Sequence, residues 1–553
     1  MPINIRTNQF SEFLLKTQNT ILSAAFILSI TSGINAFLGF VKGRLLARYF
    51  GVSDVLAVFY TADRIPNLIY SVLIVGAVST IFIPVFTDLL TKDKDKAYKT
   101  ASSMMNATLF FFLVFGILMF FVSPQTITVL SIGKFNPSEV TLGSNLMRIM
   151  LLSQLILVGG SLITSVLQSF KYFLIPAFAP VAYNLGMIFG TIFLSSSIGI
   201  YGPAVGMVFG AFLYLLIQIP LLYSTRFSFS FSLNLKDTHL KEMFSLMPPR
   251  IISVLLANAL ATINNSLAIL VSAPSVIFLK FGDQLQSFPV NLFGFSIAAA
   301  ALPTLSSESG IETGDKFKKT FLTSFHQMMF LIMPASVILL ILRVPVVRIV
   351  YGVANFPWEA TIKTSYVLAF FSLSIFAQGA NYLITRAFYA LKDTKTPVKV
   401  SAVTVILNVL ISLSLVTYWK MGVWAVALSY SITSILDMGI LLYLLSRKVG
   451  GWSFEELIVP FIKISYAALL MGITLYLPVK LLDKVVFDTT RTINLLTLTG
   501  IAGFCGMATY LVFTKLFRVE EIELFYKLAR KLNLAKVRVI EKPLIPPENA
   551  PVD

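Results

Sequence analysis

Of 553 residues only one is cysteine, Cys505, and two are histidine, His239 and His326. A lone cysteine excludes a disulfide framework, a zinc site of cysteines and a paired redox centre. It reads instead as a small apolar residue in a late helix. The two histidines fall at loop or helix ends with no third ligand nearby, so no metal centre is expected. Charge is scarce too: Asp, Glu, Lys and Arg make up 12% of the chain. The sequence has no Walker loop, no Gly-x-Ser-x-Gly and no metalloprotease motif, so transport powered by ATP within this chain is not expected, nor is a cofactor or an enzymatic reaction.

What is present is apolar. Hydrophobic residues make up 56% of the chain and the mean hydropathy is +0.83, more than a soluble protein of this length needs for its core, and the class is polytopic membrane protein. The apolar runs are long and lack the alternation of a membrane barrel, so they read as helices. The first, near Ile21 to Phe40, is too long for a signal peptide and lacks a convincing cleavage site, and the first span is expected near 21–47. Reading runs between charged or Gly/Pro-rich breaks predicts about fourteen transmembrane helices, with the second near 55–90, the eighth near 274–304 and the tenth near 360–391.

The formal charge of +17 does not point to nucleic acid. Its basic residues gather in short connections, such as Lys92, Lys94, Lys96 and Lys99, or Lys316, Lys318 and Lys319. With both termini in the cytoplasm, cytoplasmic segments carry about 26 Lys and Arg against about 7 opposite, the positive-inside asymmetry.

The chain repeats itself. Asp63 precedes Gly76 and Pro84 much as Asp283 precedes Gly294 and Pro303. Phe170-Lys171 precedes Pro176 as Leu391-Lys392 precedes Pro397, and the run Gly199 to Ala204 returns in outline as Gly422 to Ala427. The offset drifts only between roughly 218 and 223, which implies two lobes of six helices in a pseudo-two-fold repeat about an axis along the membrane normal. The expected organisation is an N-terminal lobe at 1–230, a C-terminal lobe at 231–450 and two extra helices at 451–518. A surface amphipathic helix and Pro-rich tail follow at 519–553.

A charge at mid-bilayer costs about 2.5–3.5 kcal/mol and so asks for a partner or a wet cavity. Lys42 and Arg44 in the first span are expected in such a cavity, with Arg48 as an interfacial or gating residue. Asp63 and Arg64, adjacent on a helix broken by Pro66, point about 100° apart and each need another partner. Asn67 follows. In the second repeat Lys280 and Asp283 share a face, with Gln284 beside them, and Arg250 starts the seventh span at the cytoplasmic entrance. The expected substrate-binding set is therefore Lys42, Arg44, Arg64, Asn67, Arg250, Lys280 and Gln284. Arg48, Asp63 and Asp283 are expected as gating or ion-pair residues. Asn408 and Asp437 are either a cation site or a satisfied polar pair between helices. Cations converging on an axial cavity suit a phosphate or pyrophosphate.

Several segments resemble the MurJ (MviN) lipid II flippases of the multidrug/oligosaccharidyl-lipid/polysaccharide exporter superfamily: Leu38-Gly39-Phe40 with Ala47 to Gly51, Arg64-Ile65-Pro66-Asn67, Phe82 to Phe86, Ile175 to Pro180, Phe293 to Pro303, and Arg386 to Pro397. The resemblance covers about residues 20–450. It implies a flippase, not an enzyme, that moves a lipid-linked peptidoglycan precursor across a bacterial inner membrane by alternating access. The implied partner is a polyprenyl-diphosphate-linked sugar lipid. The drive would be a Na+ or H+ gradient or the membrane potential, and a monomer is expected. The chain also departs from the family pattern. Where many members carry Arg-Asp after the Gly-Phe of the first helix it has Lys42 and Gly43. Family arginines are replaced by Ala36 and Tyr70, and the Asp-Arg of the eighth helix reads Asp283-Gln284. A cation-coupled exporter of drugs or other small molecules is the alternative, with Asp63, Asp283 or Asp437 binding the coupling ion. Short loops argue against a third class, a membrane glycosyltransferase.

Overall fold

The computed structural model describes residues 21–231, 238–309, 314–485 and 492–523. Among these the chain is all helix, with no strand. Among the described residues eleven helices are long and apolar enough to cross a membrane, or twelve counting Trp358–Ser372 and Ile375–Ala390 as one span bent by 43°. The count of fourteen is therefore not reached by length and hydropathy. The first two expected spans are helical, as Ile21–Phe50 and as a broken series through 54–92, but charge and breaks interrupt them. The amphipathic helix and tail expected at 519–553 lie, from residue 524 on, outside the described residues.

The repeat is visible in backbone detail at a spacing of about 220 residues. Lys94–Phe121 is followed by a short helix, Ser123–Leu130, and Gly314–Ile341 is followed likewise by Arg343–Tyr351. Wide π-helical turns occupy Ser71–Phe82 and Val290–Phe295 in one corresponding pair of helices, and Gly190–Leu194 and Ser414–Tyr418 in another. Such turns are rare and cluster at functional bends. The recurring Phe170-Lys171 and Leu391-Lys392 prove to be matching helix stops. Lys171 and Lys392 both take positive φ, 64° and 58°. Tyr172 N–H then bonds Leu167 O, and Asp393 N–H bonds Phe388 O, the doubled-back bonds of a Schellman cap.

Close packing follows from small residues. Leu174–Ile198 lies against Tyr201–Ser224 so tightly that a Cβ on Gly186 or Gly190 would fall on the backbone of Gly210 or Gly206. The final helices, Phe454–Val485 and Thr492–Leu516, pack on each other and on Gly314–Ile341. Tyr510, buried, donates its hydroxyl to Phe330 O at 2.7 Å.

One apolar core joins the two repeats, drawing Phe59 and Met150 from the first and Phe281, Val347 and Phe371 from the second. Val52, Phe135, Ile200, Ala273, Val353 and Met421, all in helix connections, pack into it. One face of the molecule, the sealed face, is thus closed across both repeats.

Candidate functional site

On the other side of that core lies a cavity of about 590 Å³. It runs from Arg64 and Lys280, beside the core, to Arg386, Tyr389 and Pro397, next to the connection at 391–394. A second chamber of about 80 Å³ shares Arg64 and Lys280 with it and adds Asp63, Asn67 and Asn258. Arg64 and Lys280 therefore form a wall seen from both chambers.

Arg64 is placed by local sequence. Asp63 separates Asp54–Ala62 from Arg64–Tyr70, and Pro66 removes the amide donor that would otherwise reach back to Ala62. Arg64 Nε donates to Asn265 Oδ1 at 3.2 Å. Fully buried Asn265 in turn donates to Thr61 Oγ1 at 3.2 Å. That chain holds the guanidinium by its Nε in a side chain that lines both chambers. Asp63 Oδ1 is buried with no hydrogen-bond partner. Asp283 lines the large cavity and accepts from Gln286 Nε2 at 3.0 Å. Among the described residues no ion pair joins Asp63 or Asp283 to Arg64 or Lys280, so these charges balance through the chambers and not through contact.

Several expected site residues are placed elsewhere. Lys42 Nζ donates to Asn184 Oδ1 at 3.2 Å within the first repeat and lines neither chamber. Arg44 is drawn off by carbonyls of Ile349 and Val350 at 2.7 and 2.9 Å, because a helix end there has acceptors to spare. Gln284 packs its amide against Gly39 and Gly43, where the missing Cβ atoms leave room for it, and lines neither chamber. Arg48 is exposed, and its carbonyl accepts from Asn355 Nδ2 at 2.7 Å. Asn67 lines the small chamber and accepts from Ser71 Oγ at 3.3 Å. Arg250 belongs to Thr238–Val271, but its side chain lies outside the described residues.

Asp437 lines the large cavity and accepts from Thr404 Oγ1 at 3.1 Å. Asn408 is fully buried and donates to Thr433 Oγ1 at 3.2 Å. Each thus finds a threonine of the other's helix, and no cluster of three or more His, Cys, Asp or Glu able to hold a metal occurs among the described residues. Sequence reasoning missed Arg386 as a cavity residue. Its guanidinium sits 4.6 Å from the Phe295 ring and donates to Phe295 O at 2.9 Å. A charge inside the span at 360–391 was the available signal. Asn265 was missed as well, though Asn264-Asn265 interrupts an otherwise apolar run.

Two structural repeats of membrane-spanning helices around a polar, cation-walled cavity define a multi-pass membrane transporter. The chain belongs to the MurJ lipid II flippase family: the family model described as "Lipid II flippase MurJ" matches residues 46–493. A relative from Buchnera aphidicola (subsp. Acyrthosiphon pisum), named "Probable lipid II flippase MurJ", is 29% identical over 514 residues, covering 92% of this chain and 99% of its own. The "Lipid II flippase MurJ" of Thermosipho africanus is 26% identical over 515 residues, 93% of this chain and 100% of its own. Among solved structures, "Lipid II flippase MurJ, inward closed conformation" superposes with a TM-score of 0.74 at 23% identity, covering 92% of this chain and 100% of that one. An inward-facing multidrug resistance MATE family transporter of the MOP superfamily gives 0.65 at 15% identity, over 75% and 94%. These structures establish a shared fold.

Proposed function

We propose that this protein moves lipid II, or a closely related polyprenyl-diphosphate sugar, from the inner to the outer leaflet of a bacterial cytoplasmic membrane by alternating access. The observation that carries the reading is the Arg64–Lys280 wall: two half-buried cations, with no ion pair to the nearby carboxylates among the described residues, face a large cavity in a member of this family. A diphosphate entering there supplies oxygens to both, and a low-dielectric surround strengthens each contact. The polar and aromatic remainder, including Asn381, Tyr382 and Tyr430, suits a sugar headgroup.

The face beside the cavity mouth carries Lys92, Lys94, Lys392 and Lys395 at its helix ends and connections, which supports a cytoplasmic side and a cavity open inward. Both termini then lie in the cytoplasm, and the N-terminal lobe, C-terminal lobe and two extra helices keep the boundaries 1–230, 231–450 and 451–518. A Na+ or H+ gradient or the membrane potential supplies the drive, with Asp437 and Asn408 as the candidates for an ion. The chain acts as a monomer. Likeness to drug exporters is confined to fold and does not favour a drug substrate.

Depletion of the protein is expected to leave the precursor accumulated in the inner leaflet, read by a leaflet-specific assay, and the purified protein is expected to carry a polyprenyl-diphosphate sugar by mass spectrometry. Normal translocation without the protein refutes the reading.

A further inference from the structure

The expected cavity residue Arg44 does something different. The Arg343–Tyr351 helix stops where Gly352 N–H bonds back to Arg348 O at 2.8 Å. Its last carbonyls therefore have no partner within the helix. Arg44, from the first helix of the other repeat, reaches across the junction to them. Its Nη1 donates to Ile349 O and Val350 O, and its Nη2 donates to Gly352 O at 3.3 Å. A cation at a helix C-terminus meets both unsatisfied acceptors and the negative end of the dipole. A guanidinium offers five N–H donors in a rigid planar fork that can span carbonyls spaced along a helix end, whereas an ammonium gathers its three donors at one point.

The surrounding contacts form one layer. Asn355 Nδ2 bonds Arg48 O, and Gly51, at φ 62°, lies so close that a Cβ there would come within 2.7 Å of Asn355 O. Beneath, the rings of Phe281 and Tyr351 stack with centroids 4.0 Å apart. Gly43 lets the Tyr351 ring lie against the first helix: a Cβ there would meet it at 3.0 Å. The Phe281–Tyr351 stack lies within the second repeat, and the other contacts, Asn355 to Arg48, Gly51 to Asn355 and Tyr351 to Gly43, join the first repeat to the second on the sealed face.

We propose that Arg44 is the latch of the sealed face: its three carbonyl bonds hold the repeats together there, and the protein opens on that side only when they release. The bonds are to main-chain oxygens, so release needs no proton transfer, and water can replace Arg44 at each carbonyl once the face opens. The inference rests on the alternating-access reading but not on the identity of the lipid.

The test uses the full-length protein with Cys505→Ser and a single reporter, Ser287→Cys, on the cavity wall. A membrane-impermeant maleimide is applied to cells and to inverted vesicles without added substrate. Arg44→Ala is expected to raise the ratio of labelling from the sealed face to labelling from the open face by about tenfold, the loss of charge-assisted bonds at a two-state junction. Arg44→Lys is expected to fall between wild type and Ala, and Asn355→Ala to shift the ratio the same way by less. Asn355→Ala keeps the test open should Arg44→Ala fail to insert. An unchanged ratio in the variants that insert overturns the latch. A shifted ratio in a protein whose depletion leaves lipid translocation normal sustains the latch and refutes the lipid assignment.

Discussion

At the scale of single residues, position on the cavity wall separates cations that look alike in sequence. Arg64 lines both chambers, while Lys42 is bonded to Asn184 and lines neither. Arg64→Ala is therefore expected to lower lipid translocation at least about tenfold, the cost of one charge-assisted contact to a phosphate. Lys42→Ala is expected to lower it far less in the same leaflet assay. Equal losses would place Lys42 at the substrate after all.

Asp393 carries a second residue-scale prediction. It ties the start of Lys395–Leu413 to the end of Trp424–Lys448 by accepting from Thr396 N–H at 3.0 Å and Lys448 Nζ at 2.6 Å. Burial opposes its ionisation, but the bonds from Lys448 and Thr396 outweigh burial and hold its pKa down to about 2, against 3.8 unperturbed. A depressed carboxylate stabilises the fold above the unperturbed value and loses that contribution as pH falls toward 2. Asp393→Asn is expected to cost about 1–2 kcal/mol at neutral pH. In thermal unfolding in detergent, the gap between variant and wild type should close between pH 4 and pH 2.

At the scale of elements, the helices were legible because a bilayer forces backbone groups to pair within each apolar run. Their internal breaks were only half legible. Pro66 announced a disturbance at Asp63-Arg64, yet the long π-helical stretch Ser71–Phe82 has no comparable marker, since one extra residue per turn leaves composition unchanged. The two Phe/Leu-Lys stops read as a repeat before they read as caps, because a lysine at positive φ looks like any lysine in sequence. Packing at glycines gives the test at this scale. Gly206→Val places a branched side chain against the backbone at Gly190 and Met187. It is expected to destabilise the protein by several kcal/mol. Membrane-fraction yield should drop sharply, whereas Gly159→Ala, where a Cβ meets nothing within 4 Å, should leave it unchanged.

At the scale of the whole molecule, an apolar core across both repeats on one face and a cavity opening toward the other make the structure one half of a transport cycle. A cysteine at Ser401, on the cavity wall near the mouth, is expected to react with an impermeant maleimide from the open face. One at fully buried Ala57, in the core, should resist from both faces. Comparable reaction at the two positions would contradict this division.

Sequence by itself determined the membrane class, the duplicated plan and the family, since hydropathy and recurring Gly, Pro and charged positions are local properties that survive without neighbours. It also determined that cations sit inside the bundle. Which of them face the cavity was decided by tertiary structure alone. Lys42, Arg44 and Arg64 lie within a short stretch of chain, yet Asn184, the carbonyls of Ile349 and Val350, and Asn265 each claim one of them from a different helix. A side chain's charge is written in the chain, but the partner that spends it arrives from residues hundreds of positions away.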